Sequence, residues 1–561
     1  MKLKLNFALI MFIIMVGLIP ISAMAEEKKE EVPASAPTAA PAVATITTAP
    51  PAATPAARPA VTPAATPAAP PAATPAAPPA AARPAARPAA TPAARPAVTP
   101  VVTPAVTPVV TPVVTPAAPP AAPPAAAPAA PPDVKPVLNT GDTAWMLVSS
   151  ALVLLMIPGL ALFYGGMVRQ KNVLSTMMHS LVAMGIVGVQ WAVIGYSLAF
   201  APDMAKMGLI GDFSKFMLNG LIIMKDASSG VVEFALFQNY AKEPGAIPEL
   251  VFSMYQCMFA MITVALISGA MAERVKFSAY CLFVLLWTTL VYDPLAHWVW
   301  MTDGWLFKKG ALDFAGGTVV HLSSGISALA FLIFLGKRRG YPQERMAPHN
   351  LPLTLLGVGL LWFGWFGFNA GSAIVGVNTS DAAGGLAGLA FATTTIAPAA
   401  AGLSWMIAEW IHSGRPSALG FGSGVVAGLV VITPAAGFVQ PGAALLMGLA
   451  AGLVCYGGIL LKSKLKYDDS LDAFGVHGIG GTFGAILTGV FATVGATGLL
   501  AGNAKQLVIQ LTAVVAAGAY AFIVTLVLAF ILDKTIGLRV EKDDEIMGLD
   551  QTQHSESGYN M

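Results

Sequence analysis

The chain has 561 residues, of which 56% are hydrophobic and only 11% charged, with a formal net charge of +2. Soluble domains carry roughly 25% charged residues, so most of this protein must be solvated by lipid rather than water. The net charge itself is uninformative, and no basic block points to a nucleic-acid partner, so none is expected. The three cysteines, Cys257, Cys281 and Cys455, all fall in apolar runs, where they pack as small hydrophobes rather than form disulfides or a metal site.

The first segment, MKLKLNFALIMFIIMVGLIPISAMA, sets Lys2 and Lys4 before an apolar run that ends in Ala23-Met24-Ala25. This is the pattern of a secretory signal peptide over residues 1–25; an uncleaved anchor helix is the other reading. Cleavage would leave the mature N-terminus outside the cytoplasm of a bacterium. Residues 26–136 form the next domain, and from residue 32 they are almost entirely Ala, Pro, Thr and Val, in repeats such as PAATPAAP and VTPVVTP. Proline at this density prevents helix and sheet ladders, and there are no large apolar residues from which to build a core. The composition predicts a disordered, solvated tether on the periplasmic side, biased to polyproline II.

The membrane domain is expected over residues 137–533. Apolar stretches follow one another there, each near the roughly 20 residues that a bilayer crossing takes. Eleven spans begin near Thr143, Val173, Glu249, Ala279, Asp313, Leu351, Asp381, Ser417, Gly442, Phe474 and Gln506. With the first span starting outside, the inner loops and the tail carry fifteen Lys and Arg, against seven in the outer loops. That bias predicts a multi-pass protein with its N-terminus out and its C-terminal tail, residues 534–561, in the cytoplasm. Gly and Ala crowd the spans, as in GLAGLAFATTTIA and GSGVVAGLV, and small residues let helices approach closely in lipid.

Two histidines stand inside spans: His321 in the fifth and His477 in the tenth. An intramembrane ionisable residue is a functional-site candidate by default. A single such histidine is most simply a helix-to-helix hydrogen bond. Two at matching places in two half-proteins point instead to a pore lined by imidazoles. A metal pair is disfavoured, because no Cys, Asp or Glu lies close by at the same depth. Asp313 opens the fifth span, eight residues before His321, roughly 12 Å by helical rise. Its carboxylate fits a helix cap, and it also fits attraction of a cation. His477 follows Asp472 by five residues. Tyr255 and Phe259 share a face of the third span, Trp300 ends the fourth, and Trp365 and Phe368 are three apart in the sixth. Rings at such positions belong either to an interfacial belt or to a vestibule that holds a cation through their π faces. No nucleophile–base arrangement or cofactor loop appears, so an enzyme is not expected, nor a cofactor or metal; the glycines of GVHGIGG sit in a span rather than in a phosphate loop.

From about residue 141 to the tail, the chain resembles the ammonium transporter (Amt/Mep/Rh) family, and specifically its bacterial Amt branch. The resemblance rests on IPGLALFYGGMVRQKNVLS, SGAMAERVKFSA, GALDFAGGTVVH, PHNLPLT, GWFGFNAGSA, FGVHG and the tail pattern that begins GLRV. It implies an all-α polytopic membrane protein, a homotrimer of eleven-helix protomers with a five-plus-five inverted repeat, in the bacterial inner membrane. Carried over by motif, the outer recruitment site is Tyr255, Phe259, Trp300 and Ser372, with Tyr255 where many members carry Phe. The gate is Phe259 and Phe368, the pore pair is His321 and His477, and Asp313 is the carboxylate that orders the site. The expected substrate is ammonium, with methylammonium as analogue: captured outside as the cation, deprotonated near the gate and passed inward as ammonia. The expected partners are membrane lipids, further copies of the chain and a PII-type signalling protein docked on the tail and inner loops. An ammonium sensor and a Rh-like neutral gas channel are the alternatives. The tether and signal peptide lie outside the resemblance.

Overall fold

The computed structural model describes residues 137–226, 230–238, 245–375 and 383–559. The expected signal peptide and tether, residues 1–136, lie outside the described residues. Ten helices among the described residues are long and apolar enough to cross a membrane. They are α1 (Thr140–Met167), α2 (Gln170–Phe200), α3 (Glu249–Met271), α4 (Phe277–Lys309), α5 (Gly317–Leu335), α6 (Leu351–Val375), α7 (Gly385–Ser413), α9 (Pro441–Leu465), α10 (Phe474–Phe491) and α11 (Ala504–Thr535). At the place of the eighth expected span stands a shorter apolar helix, α8 (Ala418–Ile432). Its 15 residues rise roughly 22 Å, short of a full crossing of about 30 Å. Pro434 ends it, and the turn that follows carries the chain on, with Pro434 O accepting from Phe314 N at 3.1 Å.

Burial separates the central helices from the peripheral ones. In α3 and α5, 78% of the apolar window is buried, against 28% in α11, which packs on the outside. The two halves meet through corresponding helices. α1 lies along α6, where a Cβ on Gly357 would strike the Phe163 backbone and one on Gly364 would strike Met156. α5 meets α10 in the same way, Gly325 lying against the backbone of Gly478. Without a hydrophobic drive between helices in lipid, close packing of this kind is what holds them together.

The bundle is helical, and the long loop between α2 and α3 adds two small sheets that apolar-run counting did not reveal. β2 (Ile222–Asp226) and β3 (Val231–Phe234) form an antiparallel hairpin. β5 (Gly245–Pro248) pairs with β4 (Leu236–Gln238) on one side and, in parallel, with β1 (Val137–Leu138) on the other. The segment before α1 is thereby tied to the start of α3.

At the opposite end the tail is packed down. Its short helix α12 (Lys542–Met547) presents Glu545, which accepts from Arg339 N at 2.7 Å and pairs with Arg539. Further on, Asp550 caps α2 through Ser175 N (2.8 Å), and Asn172 accepts from Leu549 N (2.8 Å). Beneath lies a buried ionic clamp. Glu273 binds Arg169 through its backbone and guanidinium and also meets Arg338, which in turn holds Asp468 with its backbone N–H and side chain. Burial alone would raise the Glu273 carboxyl, but the Arg338 charge and the Arg169 hydrogen bonds outweigh it and hold it below the ordinary glutamate range. Asp468 is likewise held low against its burial by hydrogen bonds from Arg338 and the Arg274 charge.

Candidate functional site

The start of α5 is built by one carboxylate. Gly316 turns the chain with φ of 110°, a conformation that favours glycine, and leaves a row of backbone N–H groups without helical partners. Asp313 supplies them. Its Oδ1 accepts from Gly316 N (2.9 Å) and Gly317 N (2.6 Å), and its Oδ2 from Thr318 N (2.9 Å) and Val319 N (3.0 Å). Its negative charge also complements the positive end of the helix dipole. The first turn beyond, Gly317–Leu322, is π-helical and contains His321. Such turns are rare and recur at functional sites.

α10 repeats the design from the other end of the bundle. Asp469 accepts from Ala473 N (3.1 Å) and Phe474 N (2.8 Å), and the π-helical turn Phe474–Gly478 contains His477. Asp472, the carboxylate that adjoins this histidine most closely in sequence, is engaged elsewhere, with Lys462. The true counterpart of Asp313 is therefore Asp469. The signal was present as a shared spacing: each capping aspartate stands eight residues before its histidine.

Where α5 and α10 cross, the imidazoles come together. His321 Nδ1 lies 3.3 Å from His477 Nδ1, with ring centroids 5.3 Å apart and planes 22° off parallel. Both side chains are buried. Two nitrogens in hydrogen-bond contact share one proton, so the rings cannot both carry a proton on Nδ1. One neutral ring then presents a bare Nε2 and the other an Nε2–H, a donor and an acceptor along the same line. Among the described residues, His321 Nε2 has no hydrogen-bond partner. Trp365 stacks on His321 at 5.3 Å, with its indole N–H donating to Thr433 Oγ1 at 2.8 Å, which fixes both rings. Sequence reading noted Trp365 as an aromatic residue and did not place it in the site.

Above the histidines, Phe259 and Phe368 stack 4.1 Å apart. Above these, a cavity of about 40 Å³ is lined by Phe259, Trp300, Asp313 and Ser372, together with Gln256 and Phe438 from outside the expected set. It holds roughly three water-sized molecules. Trp300 stands edge-on to Phe259 at 6.0 Å and is fixed by its indole N–H, which donates to Asp313 O at 3.0 Å. Ser372 Oγ donates to Phe368 O at 2.9 Å, committing its proton and leaving oxygen lone pairs to accept from a ligand. Tyr255 is wholly buried behind the cavity wall, with its hydroxyl 2.8 Å from Phe368 O and 3.1 Å from Ser372 Oγ. Below the stacked phenyls the space shrinks to two pockets of about 10 Å³, both touching His477. Each holds about one water. Seven of the eight expected site residues thus fall along one line, five around the cavity and its floor and two beneath, while Tyr255 stands behind the cavity wall.

Comparison with known proteins shows what the chain as a whole is similar to. A sequence profile for the Ammonium Transporter Family matches residues 144–559. The chain is 48% identical over 440 residues to an ammonium transporter of Mycobacterium bovis, covering 75% of this chain and 90% of that one. It is 47% identical over 432 residues to an ammonium transporter of Bacillus subtilis, covering 75% and 99%. Among solved structures, Saccharomyces cerevisiae Mep2 superposes with a TM-score of 0.63 at 35% identity, covering 72% of this chain and 88% of that one. A structure described as a Sensor Amt Protein superposes with a TM-score of 0.64 at 29% identity, covering 74% and 98%.

Proposed function

The chain belongs to the ammonium transporter family, and from that premise we propose how its site moves the solute. Ammonium is captured as a cation in the cavity above the phenyl pair, gives up a proton to solvent water there, and passes the two histidines as ammonia. The observation that carries this reading is the sequence of environments along one line: an aromatic, carboxylate-ordered cavity, two stacked phenyls, then two imidazoles sharing a hydrogen bond.

Size cannot be the basis of selection, since ammonium and potassium have similar radii. Ammonium differs in having directional N–H donors and a removable proton. Trp300 offers its π face, worth about 0.5–2 kcal/mol to a cation, and Ser372 offers an acceptor oxygen. Burying the intact ion further would cost, nominally, on the order of tens of kcal/mol, which two phenyl rings and an imidazole pair cannot repay. Release of the proton near Phe259 and Phe368 removes that cost, and ammonia then hydrogen-bonds with the donor and acceptor that the histidine pair presents.

In this reading the cavity faces the cell exterior and the tail the bacterial cytoplasm, with α8 and its following turn completing eleven crossings. The chain works as a homotrimer with a pore in each protomer. The tail, held to the inner loops through Glu545 and Asp550, is the surface for a PII-type regulator. Uptake of labelled methylammonium into proteoliposomes, recorded together with the accompanying current, tests the proposal. Saturable uptake is expected, and the current tells whether the released proton crosses as well. Binding without uptake would identify a sensor instead.

A further inference from the structure

α11 lines no part of the cavity, yet it holds the segment that shapes it. Gln510 Oε1 accepts from Leu312 N at 2.7 Å. Its Nε2 donates to Leu312 O at 2.8 Å and to Ala485 O on α10 at 2.9 Å. One turn earlier, Gln506 Nε2 donates to Gly310 O at 2.9 Å. Gln510 is 1% exposed, and its amide oxygen also takes a long contact from Gln506 Nε2 at 3.5 Å, so protein groups rather than solvent satisfy it.

The rest of the segment has other anchors, Ala311 N on Leu306 O (3.0 Å), Phe314 N on Pro434 O (3.1 Å) and the Trp300 indole on Asp313 O (3.0 Å), but the hydrogen bonds of the Leu312 backbone among the described residues come from Gln510. Residues 311–316 form no helix or strand. The segment is flanked by Gly310 and Gly316, whose φ values of 87° and 110° lie in the left-handed region that glycine adopts without strain. By pairing with both the N–H and the C=O of Leu312, Gln510 fixes that residue's orientation as a neighbouring strand would. The next residue is Asp313. Its carbonyl takes the Trp300 indole N–H and its carboxylate starts the helix of His321. Gln510, Leu312, Asp313 and Trp300 therefore form one chain of hydrogen bonds and covalent links that ends on the cavity wall.

We propose that Gln510 is a positioning residue for cation capture, holding Asp313 and Trp300 in the geometry that binds the ion. The inference rests on reading the cavity as the capture site. Loss of the Gln510 amide leaves the Leu312 groups unpaired and lets the loop relax between its two glycines, which weakens capture more than it slows passage beyond the phenyl pair.

Concentration-dependent methylammonium uptake into proteoliposomes tests this with Gln510→Ala, Gln510→Glu and Trp300→Leu. Gln510→Ala is expected to raise the half-saturating concentration roughly fivefold to tenfold, what about one buried hydrogen bond amounts to, with a smaller change in maximal flux. An ionised glutamate accepts but cannot donate, whereas a protonated one regains a donor. Gln510→Glu should therefore capture poorly at neutral pH and recover as the pH falls, relative to wild type under the same conditions, and this rescue keeps the idea testable if Gln510→Ala fails to fold. Two results would overturn the inference: a half-saturation that stays at the wild-type value in both Gln510 variants while Trp300→Leu raises it, or a loss of flux that only tracks the amount of folded protein. If Trp300→Leu itself leaves half-saturation unchanged, the capture-site reading fails first.

Discussion

Asp313 and Asp469 hold equivalent stations in the two halves of the bundle. Each carboxylate accepts backbone N–H groups at the start of a π-helical turn, and each lies eight residues before a buried histidine. Because the halves are inverted, one cap sits near the cavity and the other near the tail, and the two helices bring their histidines together in the middle. The geometry at the centre is thus inherited from carboxylates at the two ends.

Replacing Asp313 with alanine strips four backbone N–H groups of their acceptor. A single cap is typically worth about 0.5–2 kcal/mol, and this one serves four donors, so the loss should reach the upper end. We expect Asp313→Ala to abolish methylammonium uptake and lower the unfolding temperature. Asp313→Asn keeps an acceptor oxygen without the charge; normal transport by it would mean that capping suffices and the charge is dispensable.

Trp300→Leu keeps apolar bulk but loses the π face and the bond to Asp313 O. The half-saturating concentration should rise by a factor of roughly 2 to 30, corresponding to about 0.5–2 kcal/mol, while flux at saturating ammonium changes less. An unchanged half-saturation would remove the Trp300 ring from cation capture and count against the cavity as the capture site.

The clamp at the tail end gives the protein an acid-sensitive component. Glu273 and Asp468 are both held below their ordinary values of 4.5 and 3.8. Their contribution is therefore fully present above those values and is lost as the pH falls through the lower folded ones. Thermal stability in detergent should decline with acid below about pH 4.5, and Glu273→Gln, already lacking the charge, should show a lower neutral-pH stability and a shallower acid slope. Parallel curves for the two proteins would remove Glu273 from the account.

Truncation after Lys534 removes Arg539, Glu545 and Asp550, and with them the bonds to Arg339 and Ser175. Transport is expected to fall and binding of a PII-type protein to weaken together. A truncated chain that transports and binds at wild-type levels would leave the tail a bystander.

The membrane spans could be read from sequence because lipid imposes a length and a composition on every crossing. α8 was the least legible, since Pro434 ends it early and the run of apolar residues continues through a turn that is not helical. Motif resemblance singled out eight candidate residues, but not how the fold holds them. The π-helical turns depend on backbone pairing that no side-chain pattern announces. Asp469 was hidden behind Asp472, three residues closer to His477. Trp365 read as one ring among many, although it stacks on His321. Gln510 reaches Leu312 across 198 residues of chain, a contact that only the folded bundle reveals.

The central claim is that the solute passes the His321–His477 pair after leaving its proton above the phenyl rings. Its most direct test is methylammonium uptake and current in proteoliposomes holding His321→Ala or His477→Ala, with potassium as the competing ion. The account predicts that both variants assemble and insert but lose uptake or lose discrimination against potassium. Wild-type flux together with wild-type selectivity in both variants would contradict it.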